Sequence, residues 1–234
     1  MNLFFPSVKA TVTLLIEGEI GDESHTMKAG DFQVMTAGSG VVHTETIDKK
    51  AKLRLLQLWL VLPKKNRWTM PRLQNLSYND VSKISEKGLN IYVYSGSLGG
   101  VASPILNYVP LIVADIQLQP GVKTTQVLPA SYNTFLYMLE GNINVGEDDK
   151  VLKEGQVGWL DKFSENSQSK LQLESGELGG RAILYSAEPQ GDNIVSHGPF
   201  IGDTQEDISR LNQEYRQGKM KHISTYPEAQ LLSR

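Results

Sequence analysis

Six residues of this chain occur twice in nearly the same form. Leu15-Ile16-Glu17-Gly18-Glu19-Ile20 is matched by Met138-Leu139-Glu140-Gly141-Asn142-Ile143. Each copy is followed, after a short polar loop, by a glycine that opens another strand: Gly30 in "AGDFQVM" and Gly155 in "EGQVGWL". The shared order is strand, Glu-Gly turn, strand, polar loop, glycine, strand. Two copies within 234 residues imply two similar β domains, each long enough to bury its own core.

The segments around the repeat agree with that reading. "ATVTLLIEGEI", "LRLLQLWLVLP", "NIYVYSG", "LIVADIQLQPG", "NTFLYMLEGNINVG" and "GRAILYSAE" are rich in β-branched and aromatic residues and end in turn signals. Many short strands argue for sandwiches or barrels. The polar stretch Leu73 to Gly88 marks the expected boundary. The predicted organisation is a first barrel over 1–75, a linker over 76–88, and a second barrel with a C-terminal helix and tail over 89–234. One helix stands out, Thr204 to Gln217. Thr204 can cap it with Asp207 three residues on, Arg216 sits in its last turn, and Gly218 can end it. Ile208, Leu211 and Tyr215 share one face, which predicts a helix docked on a barrel.

Composition narrows the function classes. The net charge is −3 and no run of Lys or Arg occurs, so direct nucleic-acid binding is not expected. The absence of cysteine excludes disulfides and thiolate metal sites and fits a reducing compartment. No apolar run reaches the roughly 18 residues of a membrane span, and no signal-peptide pattern opens the chain. A cytoplasmic protein is the expectation.

The chemistry-bearing stretch is "GSGVVHTE". His43 and Glu45 lie two apart, which on a strand places both on one face and Thr44 on the other. That is the spacing of two cis metal ligands. Imidazole and carboxylate suit iron, manganese, nickel and zinc alike. Gln57, in "LRLLQLWLV", shares a face with Leu55, Trp59 and Val61 by the same alternation.

"TVTLLIEGE", "MTAGSGVVHTE", "LQLWLVLP" followed by Pro71-Arg72, and "EPQGDNIVSHGPFIGDTQEDI" together resemble the cupin superfamily and, within it, the pirin family. The resemblance runs over nearly the whole chain and implies an all-β fold of two tandem cupin-type barrels, a bicupin, with a short C-terminal helix. It also implies one metal, iron, in the first barrel, held by an H-x-H and an H-x-E motif. The H-x-E falls on His43 and Glu45. The H-x-H falls on Phe4 and Pro6, and a further acidic position on Ala10. The chain thus departs from the family at these ligands, so the site binds either iron or no metal. Phe4 either plugs the lumen, or the first residues fray and leave it open. The family pattern also has a segment ahead of the H-x-H strand. The first barrel is therefore expected to be shortened, by truncation or with its edge covered by a second chain or a local rearrangement.

The family counterpart of Gln57 lies near the metal pocket. Its implied roles are to contact a ligand or Glu45, against a plain barrel glutamine; with Glu45 it forms the candidate catalytic set. His25 and His222 are expected to be exposed, and His197 to order the tail loop. Ser39 is expected to form a tight turn, and Thr124 to Gln126, the second-barrel counterpart of the H-x-H, to hold no metal. Two functions follow from the resemblance. One is a regulatory protein that binds a protein partner. The other is a quercetin 2,3-dioxygenase-like enzyme acting on a flavonol-like ligand through a metal.

Overall fold

The repeated hexapeptide forms the same bulged turn in both places. A computed structural model describes residues 2–4, 9–21, 26–45, 52–148, 150–164, 167–226 and 231–233, with backbone alone at 2–4, 45 and 231–233. The first strands are β1 (Asn2–Phe4), β2 (Lys9–Glu17), β3 (Glu19–Gly21), β4 (Thr26–Lys28), β5 (Phe32–Thr36), β6 (His43–Glu45), β7 (Arg54–Val61) and β8 (Arg72–Leu76). Then come β9 (Ser82–Glu86), β10 (Leu89–Ser95), β11 (Ser97–Leu98), β12 (Val101–Ala102), β13 (Leu111–Leu118), β14 (Lys123–Pro129), β15 (Asn133–Val145), β16 (Lys150–Lys153), β17 (Val157–Trp159) and β18 (Gln168–Ala187). The chain ends in β19 (Val195–His197), β20 (Phe200–Gly202), α1 (Gln205–Arg216) and β21 (Leu231–Ser233).

β2 slips register against β7 between Leu15 and Glu17, and β15 slips against β18 between Met138 and Glu140. Such an extra residue bends a strand and strengthens its twist. Just past each slip the Glu faces an Arg: Glu17 opposite Arg54, Glu140 opposite Arg181. Gly18 and Gly141 follow with φ of +90° and +70°. The returning strands close in the same way. Leu15 N–H donates to the Asp31 carbonyl (3.0 Å) and Gly30 N–H to the Leu15 carbonyl (2.7 Å). Met138 N–H donates to the Gln156 carbonyl and Gly155 N–H to the Met138 carbonyl, both at 3.0 Å. Even the side-chain cap repeats, with Lys28 N–H on Asp31 Oδ2 and Lys153 N–H on Gln156 Oε1, each 2.8 Å.

The chain divides into two compact units, 1–80 with 190–234, and 81–189. This differs from the expected division in two respects. The stretch expected as a linker contains β9, which pairs along its length with β10. The tail and helix belong to the first unit, not to the second barrel. Three contacts account for this: β21 runs parallel to β8, Val42 bridges to His222, and the Arg67 side chain is held by the tail.

The first unit is built on a five-stranded sheet in the order β21-β8-β5-β2-β7. One face carries the buried apolar residues Val12, Leu14, Phe32, Val34 and Leu76. The other face carries Lys9, Thr11, Thr13, Gln33, Gln57 and Trp59, by the alternation of the paired strands. The helix caps as expected: Thr204 Oγ1 accepts from Asp207 N–H at 3.2 Å, and Asp207 Oδ2 accepts from Thr204 N–H at 3.1 Å. Its buried Ile208 and Leu211 pack on Phe200, Val195 and Met220, so it docks on the β19–β20 hairpin. Tyr215 is more exposed than expected and meets Phe200 at 6.5 Å between ring centroids.

The second unit is an eight-stranded sheet whose central order is β16-β15-β18-β13-β10-β9, with β14 on β18 and β17 on β15. Ile91, Val93, Ile116, Leu136, Met138, Ile143, Ala182 and Leu184 pack together in its core with no exposure. Among the described residues, no helix is long and apolar enough to cross a membrane.

Candidate functional site

β6 carries the candidate ligands and pairs with β1, so that Phe4 stands opposite His43 and Asn2 opposite Glu45. Phe4, which the resemblance aligns with the first His of the H-x-H, is thus the backbone partner of His43. Pro6 lies outside the described residues, as do the side chains of Phe4 and Glu45. Ala10 is buried on the apolar face of β2.

His43 is partly buried, and its imidazole is pushed down to about 4. Burial is the largest cause, followed by the charges of His222 and Lys9. The ring is thus neutral near pH 7, as a metal ligand must be. Its neighbour Lys9 is the residue the sequence reading passed over. Lys9 opens β2, is only 2% exposed, and sets its Nζ 2.9 Å from the centroid of the Trp59 ring. Burial lowers its ammonium to about 8, which leaves it mostly charged at pH 7. A cation over an indole face is electrostatically favourable, more so when desolvated.

The polar face of the sheet forms one wall beside this pair. Gln57 Nε2 donates to Thr13 Oγ1 at 3.4 Å, and Trp59 Nε1–H donates to Gln57 Oε1 at 3.3 Å. Gln33 Nε2 donates to Asn75 Oδ1 at 2.8 Å. Gln57 is exposed, and Trp59 is 54% exposed. The wall is open to solvent at that point, where Gln57 bonds both Thr13 and Trp59.

His222, expected to be exposed, is instead partly buried against β6. Its Nδ1 accepts from Ser224 N–H at 3.3 Å and meets Ser224 Oγ at 2.8 Å. An accepting Nδ1 in the neutral ring leaves the proton on Nε2, which lies 3.2 Å from Thr44 Oγ1. His222 therefore sits on the Thr44 side of β6. His25 lies outside the described residues, and His197 is exposed in β19. Ser39 lies in a tight turn between Gly38 and Gly40, its N–H on the Thr69 carbonyl at 2.8 Å. Gln126, buried in the second unit, donates to Thr124 Oγ1 at 2.8 Å.

A metal would need three or more donors around His43. Among the described residues no three His, Cys, Asp or Glu side chains come together. The charges of His222 and Lys9 both act on His43, and an ammonium repels a cation. Of the H-x-E pair, only the His43 side chain lies within the described residues.

Arg67 was also missed. Its guanidinium is fully buried and pairs with Asp192 (Nη2 to Oδ2, 2.8 Å) and Asp203, both from the tail, while Nε donates to the Leu62 carbonyl at 3.1 Å. The adjacent Trp68 stacks under Arg210 of α1 at 4.2 Å. The sequence signal was Asp192 and Asp203 in the tail stretch "EPQGDNIVSHGPFIGDTQEDI".

Comparison with known proteins agrees with this architecture. Residues 8–60 match the family model for pirin, and residues 113–221 that for the pirin C-terminal cupin domain. Pirin-like protein 2 of Arabidopsis thaliana is 32% identical over 220 residues, covering 89% of this chain and 67% of that protein. Human pirin is 30% identical over 227 residues, covering 89% of this chain and 73% of its own. The crystal structure of quercetin 2,3-dioxygenase from Acinetobacter baumannii superposes with a TM-score of 0.83 at 27% identity, over 95% of this chain and 80% of that one. The chain belongs to the pirin family, bicupin members of the cupin superfamily.

Proposed function

We propose that this chain is a pirin-type protein that acts by binding a protein partner, in a regulatory role, and not as a metal-dependent oxygenase. The observation that carries the reading is Lys9. An ammonium beside His43 opposes the divalent cation that oxygenase chemistry requires. Phe4 opposite His43 supports it, since a phenyl ring offers no lone pair where the family has an imidazole. The lack of cysteine suits work in a reducing cytoplasm. The test is metal analysis after incubation with ferrous iron and dialysis, with oxygen uptake on quercetin measured alongside. The expected result is far less than one iron per chain and no uptake above buffer. Near-stoichiometric iron that is lost in His43→Ala would overturn the proposal.

A second reading is favoured by the likeness to the Acinetobacter baumannii dioxygenase and by the solvent-open wall at Gln57 and Trp59. In it His43 and Glu45 hold iron, and Gln57 faces a flavonol-like substrate. Restoring imidazoles with Phe4→His and Pro6→His, together with Lys9→Gln, separates the two. A large gain in iron affinity over wild type supports the alignment of the site and the first reading. No gain, with wild type already loaded, supports the second.

A further inference from the structure

We infer that Lys9 makes this site a receptor for a small organic carboxylate, with Trp59 as a displaceable cover over the ammonium. The inference rests on the metal-free reading above. The ammonium is almost wholly withdrawn from water. A buried charge requires compensation. Among the described residues the structure supplies the π-face of Trp59, at 2.9 Å.

That cover is weakly held for its size. Trp59 is 54% exposed, and its indole N–H donates a 3.3 Å hydrogen bond to an exposed glutamine. A ligand that moves the indole aside gains an ammonium already in place. It also meets the hydroxyls of Thr11 and Thr13, which share the strand face with Lys9 and are buried there. Those hydroxyls and the Gln57 amide can donate to carboxylate oxygens. An aromatic carboxylate is preferred over an aliphatic one, because its ring can replace the indole face or stack on it.

The experiment is calorimetric titration of the full chain, treated with chelator, with sodium benzoate and, separately, sodium acetate at constant ionic strength. One saturable benzoate site is expected, with acetate at least tenfold weaker. Lys9→Met should weaken benzoate at least tenfold, and Lys9→Arg should retain most of the affinity. Lys9→Gln serves if Lys9→Met fails to fold by circular dichroism. Absence of saturable benzoate binding to wild type overturns the inference, as does equal binding by a folded Lys9→Gln. Glu45→Gln identifies an internal competitor: benzoate binding seen in that variant and not in wild type also overturns the receptor role. Iron analysis of the same preparation before chelator treatment, after incubation with ferrous iron and dialysis, keeps the two claims apart. Tight stoichiometric iron refutes the metal-free reading, whereas a metal-free chain that ignores benzoate refutes only the carboxylate site.

Discussion

Arg67 is the residue with most at stake in the first unit. Its guanidinium is 0% exposed, while its partners Asp192 and Asp203 keep 33% and 21% of their side-chain surface. The two halves of this ion cluster are therefore unequal. Removing the carboxylates strands a charge that water cannot reach, whereas removing the guanidinium leaves carboxylates that can hydrate. Asp192→Ala with Asp203→Ala is expected to cost about 3–5 kcal/mol, and Arg67→Met only about 1–2 kcal/mol. Denaturant unfolding of both variants checks this, and the reverse order would contradict it. Arg67 was not legible beforehand because "KKNRW" reads as a solvated basic turn, and its bonded partner Asp192 lies 125 positions away. Lys9 escaped for a related reason, since a lysine at the head of an alternating strand looks like an outward residue. His43 was legible from spacing, and its state yields a pH prediction for the metal-free protein. Its folded value, about 4, lies below the ordinary 6.5 because of burial, with His222 and Lys9 adding to it. Between those values the unfolded chain binds the extra proton. Stability is then full above 6.5 and falls as pH drops toward 4, by up to about 1.4 kcal/mol per pH unit from this group. His43→Gln should lose that component, so the stability gap between wild type and variant should shift in the variant's favour on acidification from pH 7 to 4.5.

Among the elements, the two bulged Glu-Gly turns are the most transferable from sequence to structure. The repeat was visible because a left-handed glycine and the residue before it are hard to replace. Gly18 and Gly141 both have positive φ, and a Cβ on either would run into a carbonyl oxygen, of Lys52 and Gly179 respectively. Alanine at either site combines an unfavourable backbone region with a clash against main chain that cannot swing away. Each substitution should cost about 1–3 kcal/mol. Similar losses at the two sites, read from thermal unfolding, are expected if the turns are structural equivalents; a neutral alanine at one alone would break the equivalence. The strand β9 was missed on opposite grounds. "SKISE" offers one apolar residue, Ile84, between polar neighbours, so its strand character comes from pairing with β10 and not from its own pattern. The helix was read correctly in extent because its cap residues are local, but its docking partner was not. Phe200 and Val195 lie in a hairpin whose short strands carry little pattern of their own.

At the scale of the molecule, the first unit is discontinuous: it is begun by residues 1–80 and completed only by 190–234, after the whole of 81–189 has been made. A boundary drawn from composition could not show this, because chain order gives no sign of a tail that returns. What returns it is charge and backbone pairing: Asp192 and Asp203 on Arg67, β21 along β8, and Val42 bonded on both sides of His222. The second unit, by contrast, contains a complete apolar core drawn from β10, β13, β14, β15 and β18. Regions with separate cores open with separate free energies, and amide exchange reports those openings segment by segment. In the full-length Asp192→Ala, Asp203→Ala variant, exchange should accelerate in β2, β5, β7 and α1. The amides of β13, β15 and β18 should keep wild-type protection, since none of their core residues lies outside 81–189. Acceleration confined to β19, β20 and α1 would mean that the Arg67 cluster fastens the tail without supporting the sheet. Equal acceleration throughout the chain would mean that the two units unfold as one, and the tail would then be a determinant of the whole protein's stability and not of the first barrel alone.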